Sequence, residues 1–445
     1  MRRARRSLNF KQKRRERGWA RAKVAFVRQG ITPAEALQIV LENAPPLGAE
    51  TASVSDARGR VLAEGVHSTR RLPPSDNSAM DGFAVRSADL ASASAENPVS
   101  LEVICEIPAG GSAERALHAG EAARVLTGAP IPPGSDAVVM QEDTTRDGDR
   151  VKISVSPRPH AHIRDAGEDV EIGDQVLDPG AVVGPAEIGM LASLGRSVAS
   201  VHRRPRVAIL SGGDELVEPD GDTSGGRIVA SNSYSIAAQC LDVGAEPVYL
   251  GIARDTPDDI ERHLRAGLRA DVIVSSAGVS VGDRDYVRGV LEKLGCSLLF
   301  WGVKMKPGYP LTFGRFEASD GPIVFGLPGN PVSAMVTFEQ FVRPALRKMA
   351  GRRSIFRPTV HARLVDGLRK QTGRLHFVRV DLEREGDEII ARSTGNQSSG
   401  VSRSMLLARG LLIFPAETSE LREGDTATVQ ILDEDFLAPS TPAFS

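Results

Sequence analysis

Between Val207 and Phe325 short apolar runs alternate with helix-length segments, and few architectures accept that pattern. The runs are Val207 to Leu210, Pro247 to Leu250, Val272 to Ser275, Leu298 to Trp301 and Ile323 to Phe325, with helical stretches at Ser233 to Val243 and Pro257 to Leu268. Short strands separated by helices predict a parallel α/β sheet. In open sheets of this kind the ligand crevice lies beyond the carboxyl ends of the strands. The loops at those ends carry Asp214-Glu215, Arg254-Asp255, Ser275-Ser276-Ala277-Gly278, Lys304 with Lys306, and Gly326 to Pro331.

The flanking regions have a different texture. Thr32-Pro33 opens a helix that Pro45-Pro46 stops, and Glu50 to Val66 reads as a short strand or helix pair. Residues 71–157 are dense in proline and glycine, with β-leaning runs at Leu101 to Ile104, Ala137 to Met140 and Val151 to Val155. Mixed sequence on both sides predicts an inserted β domain. A helix from Val332 to Met349 closes the α/β region, and strand-like runs at Thr359 to Leu364, Phe377 to Leu382, Glu388 to Ala391 and Ala427 to Leu432 predict a small β-barrel or sandwich. The fold class is therefore α/β and β multidomain. The expected boundaries are a basic extension over 1–30 read as disordered, a helical and mixed linker domain over 31–70 and 158–202, the inserted β domain over 71–157, the α/β domain over 203–351, a C-terminal β domain over 352–437 and a tail over 438–445.

Charge and composition exclude several function classes. Of 445 residues 41% are hydrophobic and 25% charged, inside the globular range. No run approaches the ~18 apolar residues of a membrane-spanning helix. Cys105, Cys240 and Cys296 lie far apart with no C-x-x-C pair, which argues for a reducing, cytoplasmic setting. Residues 1–30 hold twelve Lys or Arg against one acid, Glu16, without the apolar stretch of a signal peptide, while the whole chain carries a formal charge of −2. Aromatic residues make up 4%, too few for a base-stacking platform, so nucleic acid is not the expected substrate.

The chemistry suggested by the loops is anionic. Ser275 to Val281 and Gly326 to Val332 offer backbone N–H groups and glycines that let a phosphate approach closely. Asp214, Glu215, Asp255 and Asp285 are candidate Mg²⁺ ligands beside such an anion. Taken singly, each of these acids is read as a cap or a solvated loop charge, and only their convergence on one sheet edge points to a site. Marks of P-loop, zincin and α/β-hydrolase chemistry are absent. His160 and His162 form an H-x-H without a third ligand nearby, which argues against a zinc site.

Four stretches together carry a resemblance. Pro74 to Val85 (P-S-D-N-S-A-M-D-G-F-A-V), Leu126 to Pro130 (L-T-G-A-P), Ser211 to Glu215 (S-G-G-D-E) and Gly326 to Val332 (G-L-P-G-N-P-V) resemble the signature segments of the MoeA family, which is related to the gephyrin E domain. Arg164 to Asp169, Ser275 to Tyr286 and Met305 to Gly308 extend it, so that it covers residues 31 to about 435. The resemblance implies a linker domain in two pieces, an inserted β domain, a molybdopterin-binding α/β domain of MogA type and a C-terminal β domain. It also implies a homodimer that takes adenylylated molybdopterin and molybdate, inserts the metal into the dithiolene and releases AMP with Mg²⁺. Molybdopterin adenylyltransferase and molybdoenzymes are the implied protein partners. Carried over by position, Asp76, Thr127, Asp169, Glu215, Asp255, Asp285 and Lys306 are the expected catalytic residues, with Glu215, Asp255 and Asp285 as metal ligands. Ser275, Ser276, Gly278, Ser280, Lys304, Pro307, Gly308, Pro328, Gly329, Asn330 and Pro331 are the expected binding residues. Thr127 and Lys306 are read as donors that hold the oxyanion, and Asp81 as a fold residue.

Three positions depart from the family pattern. Ala277 replaces a glycine, Tyr309 replaces the second lysine of K-P-G-K-P, and Gly302 follows Trp301 where lysine is frequent. Two positive charges are thereby missing, and Lys304 is expected to restore one because alternation along a strand points it to the same side as Lys306. Two other functions compete with the transferase: molybdopterin adenylyltransferase, disfavoured by the extra β domains, and a gephyrin-like scaffold, which would not need the retained acids.

Overall fold

The computed structural model describes residues 27–276, 286–318 and 321–438, which form two compact units, 48–202 and the rest. The basic stretch up to Phe26 and the last residues of the tail lie outside the described residues.

The larger unit is built on a seven-stranded sheet in the order Arg28–Ile31, Cys296–Val303, Thr312–Phe316, Ile323–Gly326, Val272–Ser275, Arg206–Gly212 and Glu246–Ala253. All neighbours are parallel except those of Thr312–Phe316, which is antiparallel to both. Along Arg206–Gly212 the side chains alternate between two cores. Val207 and Ile209 pack with Ala36, Ile236 and Phe338, whereas Ala208 and Leu210 pack with Ile260, Leu264 and Val290. A strand apolar on both faces therefore needs helices on both faces. Pro257–Gly267 is one of them, started by Thr256, whose hydroxyl accepts from the Asp259 N–H at 3.4 Å, with Asp258 and Asp259 in its first turn.

Two expectations change here. Residues 28–30, assigned to the basic extension, belong to a strand that pairs in parallel with Phe300, Trp301 and Val303. The helix Pro33–Glu42, assigned to the linker domain, buries Ala36 and Val40 in the core of the large sheet. Thr32 caps it as expected, and Glu35 closes a capping box by accepting the Thr32 N–H at 2.9 Å. An amphipathic stripe shows that a helix has a core-facing side but not which sheet it covers.

The helix expected from Val332 to Met349 is interrupted by a π-helical turn at Phe338–Val342, between helices Pro331–Thr337 and Arg343–Met349. The Arg343 N–H reaches back to the Phe338 carbonyl, and Pro344 has no N–H to offer. The chain then forms a closed five-stranded barrel from Thr359–Leu364, Leu375–Glu385, Glu388–Ser393, Gly410–Phe414 and Thr426–Ile431. The short strand Met305–Lys306 adds in parallel to Leu375 and His376, which brings the α/β part to the barrel.

In the smaller unit, Gly82–Val85, Val99–Ile107, Glu121–Val125, Ala137–Met140, Thr144–Asp147 and Arg150–Ile153 form one six-stranded sheet. A second core of Ala57, Leu62, Val183, Leu191 and Val201 joins 48–70 to the stretch before Arg203, through the pairing of Ala49–Ser53 with Val198–His202.

Candidate functional site

At the carboxyl edge of the large sheet, serines end two adjacent strands. Ser211, Ser233, Ser275 and Ser276 are all buried, with the Ser211 hydroxyl bonded to that of Ser233 and lying 3.4 Å from that of Ser276. The loop from Gly326 to Pro331 closes over them: the Leu327 N–H donates to the Ser275 carbonyl at 2.8 Å and the Asn232 amide to the Gly329 carbonyl at 2.7 Å. Among the described residues the Oδ1 of Asn232 is buried without a partner, an acceptor in a polar nest. Gly278, Ser280 and Asp285 lie outside the described residues.

The acids occupy the next two loops. Gly213 has φ +143°, and a Cβ on it would come within 2.5 Å of the Glu215 carboxylate, so the glycine lets that side chain fold back over the strand end. The Gly213 N–H donates to the Ala253 carbonyl at 3.1 Å, and the Asp255 N–H to Asp214 Oδ1 at 3.3 Å, which keeps the two loops side by side. Asp259 accepts the Arg254 N–H at 2.9 Å, and chiefly that bond holds its carboxyl below the usual carboxylate range. Among the described residues no three His, Cys, Asp or Glu side chains close around one point. Asp214, Glu215 and Asp255 are nonetheless the hard oxygen donors Mg²⁺ takes, and that ion commonly uses one or two carboxylates with substrate oxygens completing its shell.

A third feature was not visible in the sequence. A cavity of about 510 Å³ lies between the Lys306-Pro307 turn and the barrel, lined among others by Lys306, Lys370, Arg374, His376, Arg379 and Gln397. Arg379 is 1% exposed, donates to the Ser404 hydroxyl at 3.2 Å and to the Ser398 carbonyl at 3.3 Å, and is pushed down by burial to about 10, still a cation at neutral pH. Gln397 grips the same residue, accepting the Arg379 N–H at 2.9 Å and donating to its carbonyl at 3.0 Å. Burial, and then Lys370, Lys306 and Arg374, push His376 down to about 4, so it is neutral at pH 7. Five cations, Lys306, Arg369, Lys370, Arg374 and Arg379, line one cavity, Arg369 being paired with Glu420 at 2.8 Å, and among the described residues no carboxylate joins that lining. Two residues beyond Gln397, the Ser399 hydroxyl accepts from the Asn330 amide at 3.0 Å and its carbonyl from the Val332 N–H at 3.2 Å. The segment 397–399 thus touches both the cationic cavity and the loop over the serines.

In the smaller unit the Asp76 loop packs against the 164–169 turn. Asp76 Oδ1 accepts the Ala166 N–H at 2.8 Å, Asn77 and Ser78 pair with Arg164 and Ile163, and the Asp169 N–H donates to the Leu72 carbonyl at 3.0 Å. Thr127 departs from its expected role. Its N–H and its hydroxyl both donate to Asp81 Oδ1, each at 2.7 Å, so the hydroxyl proton is committed to a carboxylate and not to an oxyanion. The H-x-H serves the same loop: His160 and His162 both have positive φ, His160 pairs with Asp165 at 2.9 Å, and the His162 carbonyl accepts the Ala79 N–H at 2.9 Å.

Comparison with known proteins fits this arrangement. Three family descriptions match in order: "MoeA N-terminal region (domain I and II)" over residues 31–195, "Probable molybdopterin binding domain" over 208–348, and "MoeA C-terminal region (domain IV)" over 361–432. A molybdopterin molybdenumtransferase from Nostoc sp. is 41% identical over 382 residues, covering 84% of this chain and 86% of that protein. One from Haemophilus influenzae is 35% identical over 405 residues, covering 90% and 98%. The chain belongs to the MoeA family. Two crystal structures of a MoeA protein from Pyrococcus horikoshii superpose with TM-scores of 0.78 and 0.73 at 30% and 32% identity, each covering 90% of this chain and 99% or 100% of theirs.

For a MoeA-family chain the expected compensation by Lys304 takes a different form. Lys304 and Lys306 are both exposed on either side of buried Met305, as alternation requires, yet only Lys306 lines the cavity. The further cations come from the barrel. Arg379 could have been noticed as a charge inside the apolar run Phe377-Val378-Arg379-Val380, whereas Lys370 and Arg374 sit in a polar loop with no periodic signal.

Proposed function

We infer that this chain is a molybdopterin molybdenumtransferase of molybdenum cofactor biosynthesis, which inserts molybdenum from molybdate into adenylylated molybdopterin and releases AMP. The observation that carries the reading is the continuity of two subsites through residues 397–399: a cationic cavity on one side, and on the other a polar loop suited to a heterocycle with N–H donors. Molybdate is a dianion, and Lys306, Lys370, Arg374 and Arg379 attract and orient it, with burial strengthening the field of Arg379. Insertion exchanges oxo oxygens for two thiolates of the substrate, so protons must be delivered to oxygens that leave as water. The cations favour bound dianion over free, and a carboxylate such as Glu215 or Asp255 can carry the protons. In this reading Glu215 and Asp255, with Asp285 of the sequence-based expectation, would also hold Mg²⁺. The ion supplies charge neutralisation at the phosphates. Asn232 Oδ1, without a partner among the described residues, is the acceptor that this reading gives to a pterin N–H.

The working form proposed is a cytoplasmic homodimer. Purified protein incubated with adenylylated molybdopterin, Mg²⁺ and molybdate should release AMP, and should release little when molybdate is withheld. AMP formation that ignores molybdate would overturn the assignment.

A further inference from the structure

The two departures at Gly302 and Tyr309 are a single structural unit. Between them the chain folds back on itself, with the Gly302 N–H on the Leu311 carbonyl and the Val303 N–H on the Tyr309 carbonyl, both at 2.8 Å. Gly302 has φ +80°, and a Cβ there would stand 3.3 Å from Tyr309 Cζ, so the phenol ring lies across a residue with no side chain. Trp301 meets the ring edge-on, with centroids 5.7 Å apart and planes at 85°. The Arg374 guanidinium carbon lies 5.0 Å from the centre of the same ring. Arg374 also lines the cationic cavity, and among the described residues it has no ion pair.

We propose that Tyr309 is a positioning residue that sets the cavity's affinity for its anion by holding Arg374 in place. This rests on reading the cavity as the molybdate site. An arginine side chain loses rotamer freedom when it clamps a ligand, and a ring that has already immobilised it removes that cost from the binding step. A lysine at 309 would instead set a second charge beside the guanidinium and repel it. The pair Gly302 and Tyr309 thus replaces mobile point charges with one pre-set guanidinium. Gly302 makes room for the ring, the ring holds the arginine, and the arginine faces the anion.

The test is calorimetric titration of molybdate into wild type, Tyr309→Leu, Tyr309→Phe, Arg374→Ala and the Tyr309→Leu/Arg374→Ala double variant, each checked for an unchanged melting curve. Tyr309→Leu should weaken binding roughly fivefold, the size of one cation–π contact. Tyr309→Phe keeps the ring face and should retain the wild-type constant. In the Arg374→Ala background Tyr309→Leu should have no further effect, because it acts only through that arginine. In the AMP assay the KM for molybdate should rise while kcat at saturation stays level, a split that general loosening of the fold would not produce. Tyr309→Met fills the space over Gly302 without a π face and gives the same readout if the leucine variant melts low. Equal affinity of wild type and Tyr309→Leu, or an undiminished effect of Tyr309→Leu without Arg374, overturns the proposal while leaving the site assignment intact. A wild type that takes up no molybdate overturns both.

Discussion

Asp81 receives both protons of Thr127, the backbone N–H and the side-chain hydroxyl, on the single oxygen Oδ1 at 2.7 Å each. These two bonds hold the Asp81 carboxyl below the usual carboxylate range, so at neutral pH it is ionised and accepts only. The threonine hydroxyl therefore turns its lone pairs outward and offers an acceptor to whatever approaches. Replacing Asp81 by Asn weakens the hold and lets the hydroxyl rotate. Asp81→Asn should lower AMP release by about tenfold, the order of one charge-assisted hydrogen bond, with secondary structure intact by circular dichroism. Full activity in that variant would return Asp81 to a purely structural role.

Gly213 and Glu215 give a second prediction. Glu215→Ala and Asp255→Ala should fold normally and lose molybdate-dependent AMP release, since an exposed loop acid changes stability by no more than ~0.5 kcal/mol. Gly213→Ala should lose activity too, although it removes no functional group, because its Cβ would occupy the place of the Glu215 carboxylate at 2.5 Å. An active Gly213→Ala protein would show that the folded-back position of Glu215 is not the working one.

His376 makes stability depend on pH in a defined window. Its folded value of about 4 lies below the ordinary 6.5, so as pH falls the unfolded chain takes up a proton before the folded one does. The contribution is intact above pH 6.5 and is lost progressively down to about 4. In urea titrations across that range His376→Gln should show a shallower loss of stability than wild type. Parallel curves for the two would mean that burial and the neighbouring cations do not hold the imidazole neutral.

Glu339 is the buried hub of the helix that ends the α/β part. It is 5% exposed, accepts from Gln239 at 2.8 Å and from Arg357 at 3.0 Å, and lies 3.5 Å from Arg343. Burial pushes Arg343 down to about 10, with Arg357 adding to the effect and Glu339 opposing it. Glu339→Ala leaves two arginines without their buried partner and should cost about 3–5 kcal/mol in urea denaturation. A loss under ~1 kcal/mol would mean that water reaches the cluster.

The elements that chemistry alone specifies were legible before any coordinates. The strands from Val207 to Phe325 follow from runs apolar on both faces, the start of the helix at Pro33 from Thr32 followed by a proline, and the acidic and glycine-rich loops from their place after those strands. These are local properties, set by side-chain periodicity and by backbone groups that need caps. What only the tertiary structure decided is which distant segments share a surface. Strand Arg28–Ile31 completes a sheet whose next strand begins at Cys296, and Thr312–Phe316 runs against its neighbours. The cationic cavity joins Lys306 to Lys370, Arg374 and Arg379, which are brought together by the pairing of Met305–Lys306 with Leu375 and His376. No periodicity encodes such a meeting: Lys306, Lys370 and Arg374 are ordinary exposed or half-buried polar residues on their own segments, and Arg379 stands out only as a charge in an apolar run. Packing of the barrel against that short strand aims them at one space, whose lining among the described residues includes no carboxylate.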